Sequence, residues 1–420
     1  MTNVFVFPCG SEIGLEVQRA LGKSIHFTLI GGSSSQDHGR YAYTNYIGNM
    51  PYITAPDFID KLNDIIRDEC IEYIIPAHDS VLTFLAENRE LVHADIVASI
   101  SETCSLCRSK KATYEYLSLF IKTPRIYLDD IPEKFPVFMK PDVGQGSKGT
   151  RIIMNVKEMA FFKESSPGML MLEYLPGKEY TVDCFTDRLG NLRVCSARER
   201  ARVANGISVN TKLIHKQEFS EIAHIINDAL KLRGTWFYQV KENAAGDLVL
   251  LEVAPRIAGT SAITSINGAN LIELALYDRM GINIDVYCNN LDIEVERSLS
   301  SKMLIRYEFK HVYLDYDDTL HFNSLINHEV ISFIYKMRNA GKKIHLITKH
   351  DGDLLASLDD FKICHGIFDE IIHIKKSDDK ADYINNVSSI FIDDSFNERR
   401  NVSRKLGIPS FSVDVVGMFT

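Results

Sequence analysis

The chain has no apolar run approaching the roughly 18 residues that a membrane-crossing helix needs, so no transmembrane segment is expected. Its first residues, MTNVFVFPCGSEIG, lack a basic stretch followed by a long apolar core, and no secretory signal is expected. The eight cysteines are scattered, which suits a reducing cytoplasm rather than a disulfide framework. Cys104 and Cys107 form the one close pair. It could be a redox or half-zinc motif, but no second cysteine or histidine pair completes a zinc site, and two ordinary helix-end cysteines are the simpler account. Positive charge is in short supply. Lys and Arg number 47 against 56 Asp and Glu, and the net charge of −9 argues against a general nucleic-acid or anionic-membrane surface. There is no internal repeat and no low-complexity segment. No Pro/Gly/Ser-rich linker interrupts Ser298 to Lys310, so the parts on either side are expected to pack rather than to be loosely tethered.

What is present is a chain of 420 residues, long enough for two or three domains, with a 45% hydrophobic fraction that can fill real cores. Residues 1 to about 105 alternate strand-like and helix-like segments. Asn3–Phe7 reads as a strand, Ile13–Leu21 as a helix, Ser24–Gly31 as a second strand, Phe58–Glu69 as an amphipathic helix, and Ile74-Ile75 as a third strand. That alternation predicts βα units and a small parallel sheet. Gly10 and Gly14 make a degenerate glycine turn after the first strand, a weak nucleotide signal and a good structural turn. His78-Asp79 stands at a strand end, placed either to line a cleft or to cap the next helix.

The stretch Phe309–Leu320 (FKHVYLDYDDTL) is the most informative in the C-terminal third. Val312-Tyr313-Leu314 reads as a buried parallel strand that delivers Asp315, Asp317 and Thr319 at its end, where open α/β sheets bind ligands. Two carboxylates two residues apart on an extended chain point the same way. Such a pair can hold a divalent cation, and one member can attack phosphorus; a strand ending in a polar turn fits the same residues. Ile344–Thr348 is a second apolar strand ending in a hydroxyl. Lys380 opens a helical stretch (KADYINNV). Ser389–Ile392 is a third strand, ending in Asp393 and Asp394. These four signals, in this order, resemble motifs I to IV of the haloacid dehalogenase-like (HAD) phosphohydrolases, over Lys310 to Thr420. The connections have room for a helix and a strand each, so the resemblance is to capless members. It implies that Asp315 is the nucleophile and forms an aspartyl-phosphate, and that Asp317 is the acid/base. It implies that Thr348 and Lys380 hold phosphoryl oxygens, and that Asp315, Asp393 and Asp394, with Asp317 beside them, form the magnesium site.

Earlier in the chain, Phe135–Met139 is an apolar strand ending in Lys140, followed by a loop with Gly144, Gly146 and Gly149. Glycines let backbone N–H groups close over phosphates. The spacing is not that of a P-loop, and a flexible hairpin with one lysine fits it equally. With its flanks the stretch resembles the ATP-grasp fold, on the carbamoyl-phosphate-synthetase-like branch. The resembling segments are Met171–Asp183, Tyr238–Lys241, Leu250–Arg256 and Gly268–Gly281, and the match runs from residue 1 to about 300. It implies that Lys140 contacts ATP phosphate, and that the loop with Gly146, Ser147, Lys148 and Gly149 covers the phosphates. Glu173 and Leu175 would form the adenine hinge, and Glu179 would hold the ribose. Gln239 and Glu252 would hold magnesium, with Arg256 and Arg200 facing the transferred phosphate or a substrate carboxylate. There is one departure: the family usually has Asn two residues after the metal Glu, and this chain has Ala254. Arg198, Arg200 and Arg202 alternate, which predicts one shared face, either a solvated edge or a surface for an acidic substrate.

The fold expected is therefore α/β, with α+β character in the ATP-grasp part. A Rossmann-like domain would span 1–105, an ATP-grasp domain 106–305, and a capless HAD Rossmannoid domain 306–420. The function implied by the two resemblances is a bifunctional cytoplasmic enzyme using ATP and Mg2+. It would join a small-molecule carboxylate to an amine or other nucleophile through an acyl-phosphate, and remove phosphate from a phosphorylated metabolite. The expected partners include neither nucleic acid nor membrane, and a homodimer is implied by the resemblance. The alternative is a HAD phosphatase regulated by an ATP-grasp domain that binds ATP without consuming it.

Overall fold

A computed structural model describes every residue except 129, 130, 145, 147, 205, 290, 299–301, 304, 305, 387 and 420. The chain forms two compact units, Met1–Ser298 and Leu299–Thr420.

The first unit begins with a five-stranded parallel sheet. Its order across the sheet is Asn45–Ile47, Phe27–Gly32, Thr2–Phe7, Tyr73–Pro76, Asp95–Ile96. Val4, Phe5 and Val6 in the central strand are fully buried, because helices cover both faces of a parallel sheet. The helix Glu12–Leu21 starts at Ser11, whose Oγ accepts from Gly14 N, and Val17 and Leu21 turn into the core. The helix Phe58–Asp68 buries Phe58, Leu62 and Ile66 at the spacing of one helical face.

Two antiparallel sheets follow. Arg151–Ile153, Val137–Pro141 and Met169–Glu173 make a three-stranded sheet whose first hairpin carries the glycine loop. The larger has six strands in the order Leu248–Ala254, Gly234–Glu242, Glu179–Thr186, Leu192–Ala204, Ile207–Ile214, Glu294–Glu296. Tyr180, Val182, Cys184, Trp236, Tyr238 and Leu250 pack one face of it against Phe219, Ala223 and Ile226 of the helix Gln217–Ala229. Polar Thr181, Asp183 and Gln239 occupy alternate positions and face the other way, Thr181 and Gln239 into the cleft.

The second unit is built on a five-stranded parallel sheet in the order Glu370–His373, Lys343–Thr348, His311–Leu314, Ser389–Ile392, Ser410–Phe411. The helix His328–Asn339 lays Val330, Phe333, Ile334 and Met337 against it. The expected helix from Lys380 is only a four-residue 3-10 turn, Lys380–Tyr383. The chain becomes extended at Ile384 because it must enter the buried strand Ser389–Ile392, and Asn386 is held there by its Nδ2 donating to Tyr313 OH at 2.8 Å.

Candidate functional sites

In the first unit the parallel sheet reverses its order between Thr2–Phe7 and Tyr73–Pro76, and ligands bind beyond the carboxyl ends of strands at such a point. A cavity of about 280 Å3 lies there. Ser11, Glu12 and His78 wall it from the parallel sheet, and Gln239, Glu252 and Arg256 from the six-stranded sheet, with Gly146 and Lys148 of the glycine loop above. Gln239 and Glu252 are direct register partners on neighbouring strands, and Thr181 is the partner of Gln239 on the other side. Directly opposed residues share a face, so a hydroxyl, an amide and a carboxylate stand in a row along the cavity wall. Gln239 Nε2 donates to Thr181 Oγ1 at 3.4 Å.

Lys140 is buried at the end of Val137–Pro141. It donates to Tyr114 OH and, at 3.1 Å, to Leu251 O. Burial pushes its ammonium down to about 8, with Glu252 and Glu179 acting in the opposite sense. The glycine loop closes on the hairpin turn between Leu192–Ala204 and Ile207–Ile214. A Cβ at Gly206 would lie 2.4 Å from the Gly146 carbonyl carbon, and the φ of +77° at Gly206 also needs glycine.

The three alternating arginines do not share one environment. A register shift between Glu199 and Arg202 breaks the alternation. Arg198 is buried, and its Nε donates to Asp183 Oδ2 at 2.7 Å. Arg200 lines the cavity; it pairs with Glu179 and donates to Gly206 O at 2.6 Å. Arg202 is outside the cavity wall, exposed and paired with Glu296. Arg256 lies in the wall, and Asp79 occupies its fork.

Among the described residues the cavity thus brings together Gly146, Lys148, Arg200, Gln239, Glu252 and Arg256. Lys140, Gly149, Glu173, Leu175 and Glu179 are not in its wall. Glu173 closes Met169–Glu173 and accepts from Arg125 N at 3.4 Å, Leu175 is buried just beyond, and Glu179 opens Glu179–Thr186. Ser147 lies outside the described residues. Ala254 is buried with Phe237 and Ala258 in a small apolar patch. Sequence reasoning did not connect Asp79 with Arg256; the only signal was its position just past a buried strand.

In the second unit three parallel strands deliver their polar ends to one place. Asp315 follows His311–Leu314, Thr348 ends Lys343–Thr348, and Asp393-Asp394 follows Ser389–Ile392. One oxygen from each of Asp315, Asp393 and Asp394 lies within 4.8 Å of the others. Lys380 Nζ sits 2.6 Å from Asp315 Oδ1 and 2.6 Å from Asp393 Oδ2, all three side chains being buried. The Asp393 contact is a hydrogen bond. The Asp315 contact is an ion pair off the hydrogen-bonding direction, which leaves Asp315 Oδ1 without a hydrogen-bond partner among the described residues. Burial, followed by the charge of Asp315, pushes Asp393 up to about 7, and burial raises Asp315 as well. Three crowded carboxylates suit a hard divalent cation, which takes oxygen ligands. Asp394 N donates to Thr319 Oγ1 at 3.2 Å, and Arg399 Nη1 donates to the Asp393 carbonyl at 2.7 Å, fixing this turn.

Asp317 is outside the carboxylate group. Its oxygens lie 2.8 and 3.1 Å from His350 Nδ1, and His321 Nε2 is 3.4 Å away. Buried Thr348 accepts from His350 N at 3.1 Å. His350 was not singled out from sequence; a histidine two residues past a strand-end hydroxyl was the available signal.

Residues 165–298 match the model of a family described as ATP-grasp in the biosynthetic pathway with Ter operon. The 3-methyl-D-ornithine–L-lysine ligase of Methanosarcina acetivorans is 27% identical over 220 residues, covering 51% of this chain and 58% of the relative. The carbamoyl phosphate synthase large chain of Clostridium beijerinckii is 28% identical over 183 residues, 40% of this chain and 17% of the relative. The chain thus spans less than two thirds of the curated relatives it matches. Among solved structures, the biotin carboxylase domain of Hydrogenobacter thermophilus 2-oxoglutarate carboxylase, in complex with MgADP and bicarbonate, aligns with a TM-score of 0.55 at 16% identity, covering 67% of this chain and 70% of that one. N5-carboxyaminoimidazole synthetase of Staphylococcus aureus with ADP aligns with a TM-score of 0.54 at 16% identity, covering 68% and 79%. The fold is mixed α/β, and the first unit contains an ATP-grasp domain. Among the described residues no helix is long and apolar enough to cross a membrane.

Proposed function

We propose that the first unit is an ATP-dependent carboxylate–amine ligase. The observation that carries this is the facing of Gln239 and Glu252 across adjacent strands, under the glycine loop and beside Arg198, Arg200 and Arg256, in one cavity. A carboxylate oxygen of the substrate attacks the γ-phosphorus of ATP, the bond to the bridging oxygen breaks, and ADP leaves. An amine then attacks the acyl carbon and phosphate departs. Lys140, Lys148 and the loop amides of Gly146 and Gly149 neutralise and orient the phosphates. Glu173 and Leu175 hold the adenine, and Glu179 the ribose. Gln239 and Glu252 would hold Mg2+, which lowers the charge barrier to phosphoryl transfer. Arg200 and Arg256 face the carboxylate or the transferred phosphate, an anion that a planar guanidinium fits. The naming of a Methanosarcina relative as a ligase supports this assignment.

The second unit, in this proposal, is a capless HAD-type phosphohydrolase. Asp315 attacks the phosphorus of a phosphorylated metabolite and forms an aspartyl-phosphate, while Asp317 protonates the leaving oxygen and then takes a proton from the attacking water. Thr348 and Lys380 bind phosphoryl oxygens. Asp315, Asp393 and Asp394 would hold Mg2+. The three-part division at 1–105, 106–305 and 306–420, a homodimeric assembly and a cytoplasmic setting belong to the same proposal.

The test uses the Asp315→Asn protein, so that products are not hydrolysed. It is mixed with magnesium-ATP and pools of carboxylic acids and amines, and ADP release is followed with mass spectrometry. ADP appearing with one pool, together with a condensed mass, is the expected result. Ala254 favours an alternative, a nucleotide-binding module that regulates the phosphatase, because alanine leaves the usual third oxygen ligand missing. ATP binding without ADP from any pool would support that alternative and sink the ligase.

A further inference from the structure

His350 touches two residues of the proposed phosphohydrolase site by two different groups. Its backbone N donates to Thr348 Oγ1 at 3.1 Å, and its Nδ1 lies 2.8 and 3.1 Å from the two oxygens of Asp317. An N–H at Nδ1 can donate to one Asp317 oxygen and leaves the other free to carry the proton that the acid role needs. The ring is itself held. Tyr316 meets it edge-on, with centroids 5.0 Å apart at 88°, and the hydroxyl of Tyr316 bonds Ser357 Oγ at 2.7 Å. His373 Nε2 lies 2.8 Å from the His350 carbonyl, which anchors the backbone from the neighbouring strand. Asp317 itself is half-exposed on a loop, at 43% of its side-chain surface, and among the described residues its other close side-chain partner is His321 at 3.4 Å. A half-exposed carboxylate samples several rotamers unless something fixes it.

We infer that His350 is a positioning residue that holds Asp317 in the orientation needed to protonate the leaving oxygen, and couples that orientation to the phosphoryl-binding Thr348. This rests on the proposed phosphohydrolase. In the first step the Asp315–phosphorus bond forms as the phosphorus–leaving-group bond breaks, and the proton moves from Asp317 to the departing oxygen. His350 keeps its own proton throughout. The imidazole acts through a hydrogen bond that a neighbouring carboxylate cannot replace, and a misplacement near 1 Å is enough to lower a rate about a hundredfold.

The experiment compares two phosphate esters. p-Nitrophenol leaves without help from an acid, whereas the alkoxide of glycerol 2-phosphate needs the proton. kcat/KM reports the step that expels the leaving group. His350→Ala should lower kcat/KM about tenfold or more for glycerol 2-phosphate and less than threefold for p-nitrophenyl phosphate. His350→Asn, whose amide N–H can stand near the position of Nδ1, should recover a large part of the loss. Equal losses on both esters would mean a merely structural role and overturn the inference, as would no loss on either. Asp315→Asn separates the two claims: if it keeps wild-type turnover, or if the wild type hydrolyses neither ester, the phosphohydrolase assignment falls and the inference falls with it.

Discussion

Arg256 and Asp79, 177 residues apart, meet fork to fork: Nη2 donates to Oδ2 at 2.8 Å and Nε to Oδ1. The pair joins the parallel sheet of the first unit to the strand end that carries Glu252. Both side chains are largely buried, at 14% and 13% exposure, and the guanidinium holds the Asp79 carboxyl below the usual carboxylate range despite its burial.

Removing one partner of such a pair leaves a charge in a low-dielectric place. Asp79→Ala should therefore lose about 2 kcal/mol of stability, less than a fully buried pair would because some solvent reaches it. Urea unfolding checks this. An unchanged midpoint would show that the pair is energetically idle. If Arg256 also serves a substrate anion, the variant should change KM for the carboxylate more than KM for ATP.

Lys140 supplies the pH dependence. Its ammonium titrates near 8 when no ligand is present, because burial disfavours the charge. A phosphate beside it raises that value, so binding takes up a proton wherever the free site is partly neutral. The sign follows: in the proposed ATP site, affinity should be flat below about pH 7 and fall as pH rises through 8, by up to tenfold per unit. Calorimetric titrations at pH 7 and 9 measure it. Lys140→Arg keeps the charge at both values and should flatten the dependence; an affinity that rises with pH in the wild type would refute the assignment.

The strands that carry the sites were legible because they are short apolar runs with abrupt polar ends. Val312–Leu314 before Asp315 and Ile390–Ile392 before Asp393 announce both burial and the gathering of carboxylates at one sheet edge. The residues that were not legible act across long sequence gaps or through irregular backbone. Asp79 reaches Arg256 only once the two sheets meet. His350 reaches Asp317 only when parallel strands align Leu314 with Leu346. The register shift after Glu199 turns Arg202 away from Arg198 and Arg200, and no period-two pattern signals a bulge. Lys380 reads as the start of a helix by composition, but the pull of the following strand stops it after one turn.

Gly206 tests whether the glycine loop works closed. Alanine there meets both the positive φ and the Gly146 backbone at 2.4 Å, and backbone cannot yield as a flexible side chain does. Gly206→Ala should push the loop off the hairpin and raise KM for ATP about tenfold, with a stability cost of about 1–2 kcal/mol. Unchanged ATP kinetics would mean that the closed contact is incidental.

Lys380 is the charge that makes the second site tenable. Its Nζ stands 2.6 Å from both Asp315 and Asp393, and those charges raise the ammonium above the usual lysine range despite burial. Lys380→Met removes the charge but keeps the length of the side chain, so that buried Asp315 and Asp393 face each other without the cation between them. Losing one member of a buried set of this kind costs about 3–5 kcal/mol. A divalent cation bound by the carboxylates would offset part of that loss, since it supplies the missing positive charge at the same place. The variant should therefore unfold at lower urea than the wild type in the presence of a chelator. Added Mg2+ should then shift its midpoint upward by more than it shifts the wild type. In the proposed phosphohydrolase, activity should be lost in either condition, because the ion would not replace the lysine on the phosphoryl oxygens. A variant as stable as the wild type and indifferent to Mg2+ would mean that these carboxylates are protonated and hold no cation, and the metal site would have to be abandoned.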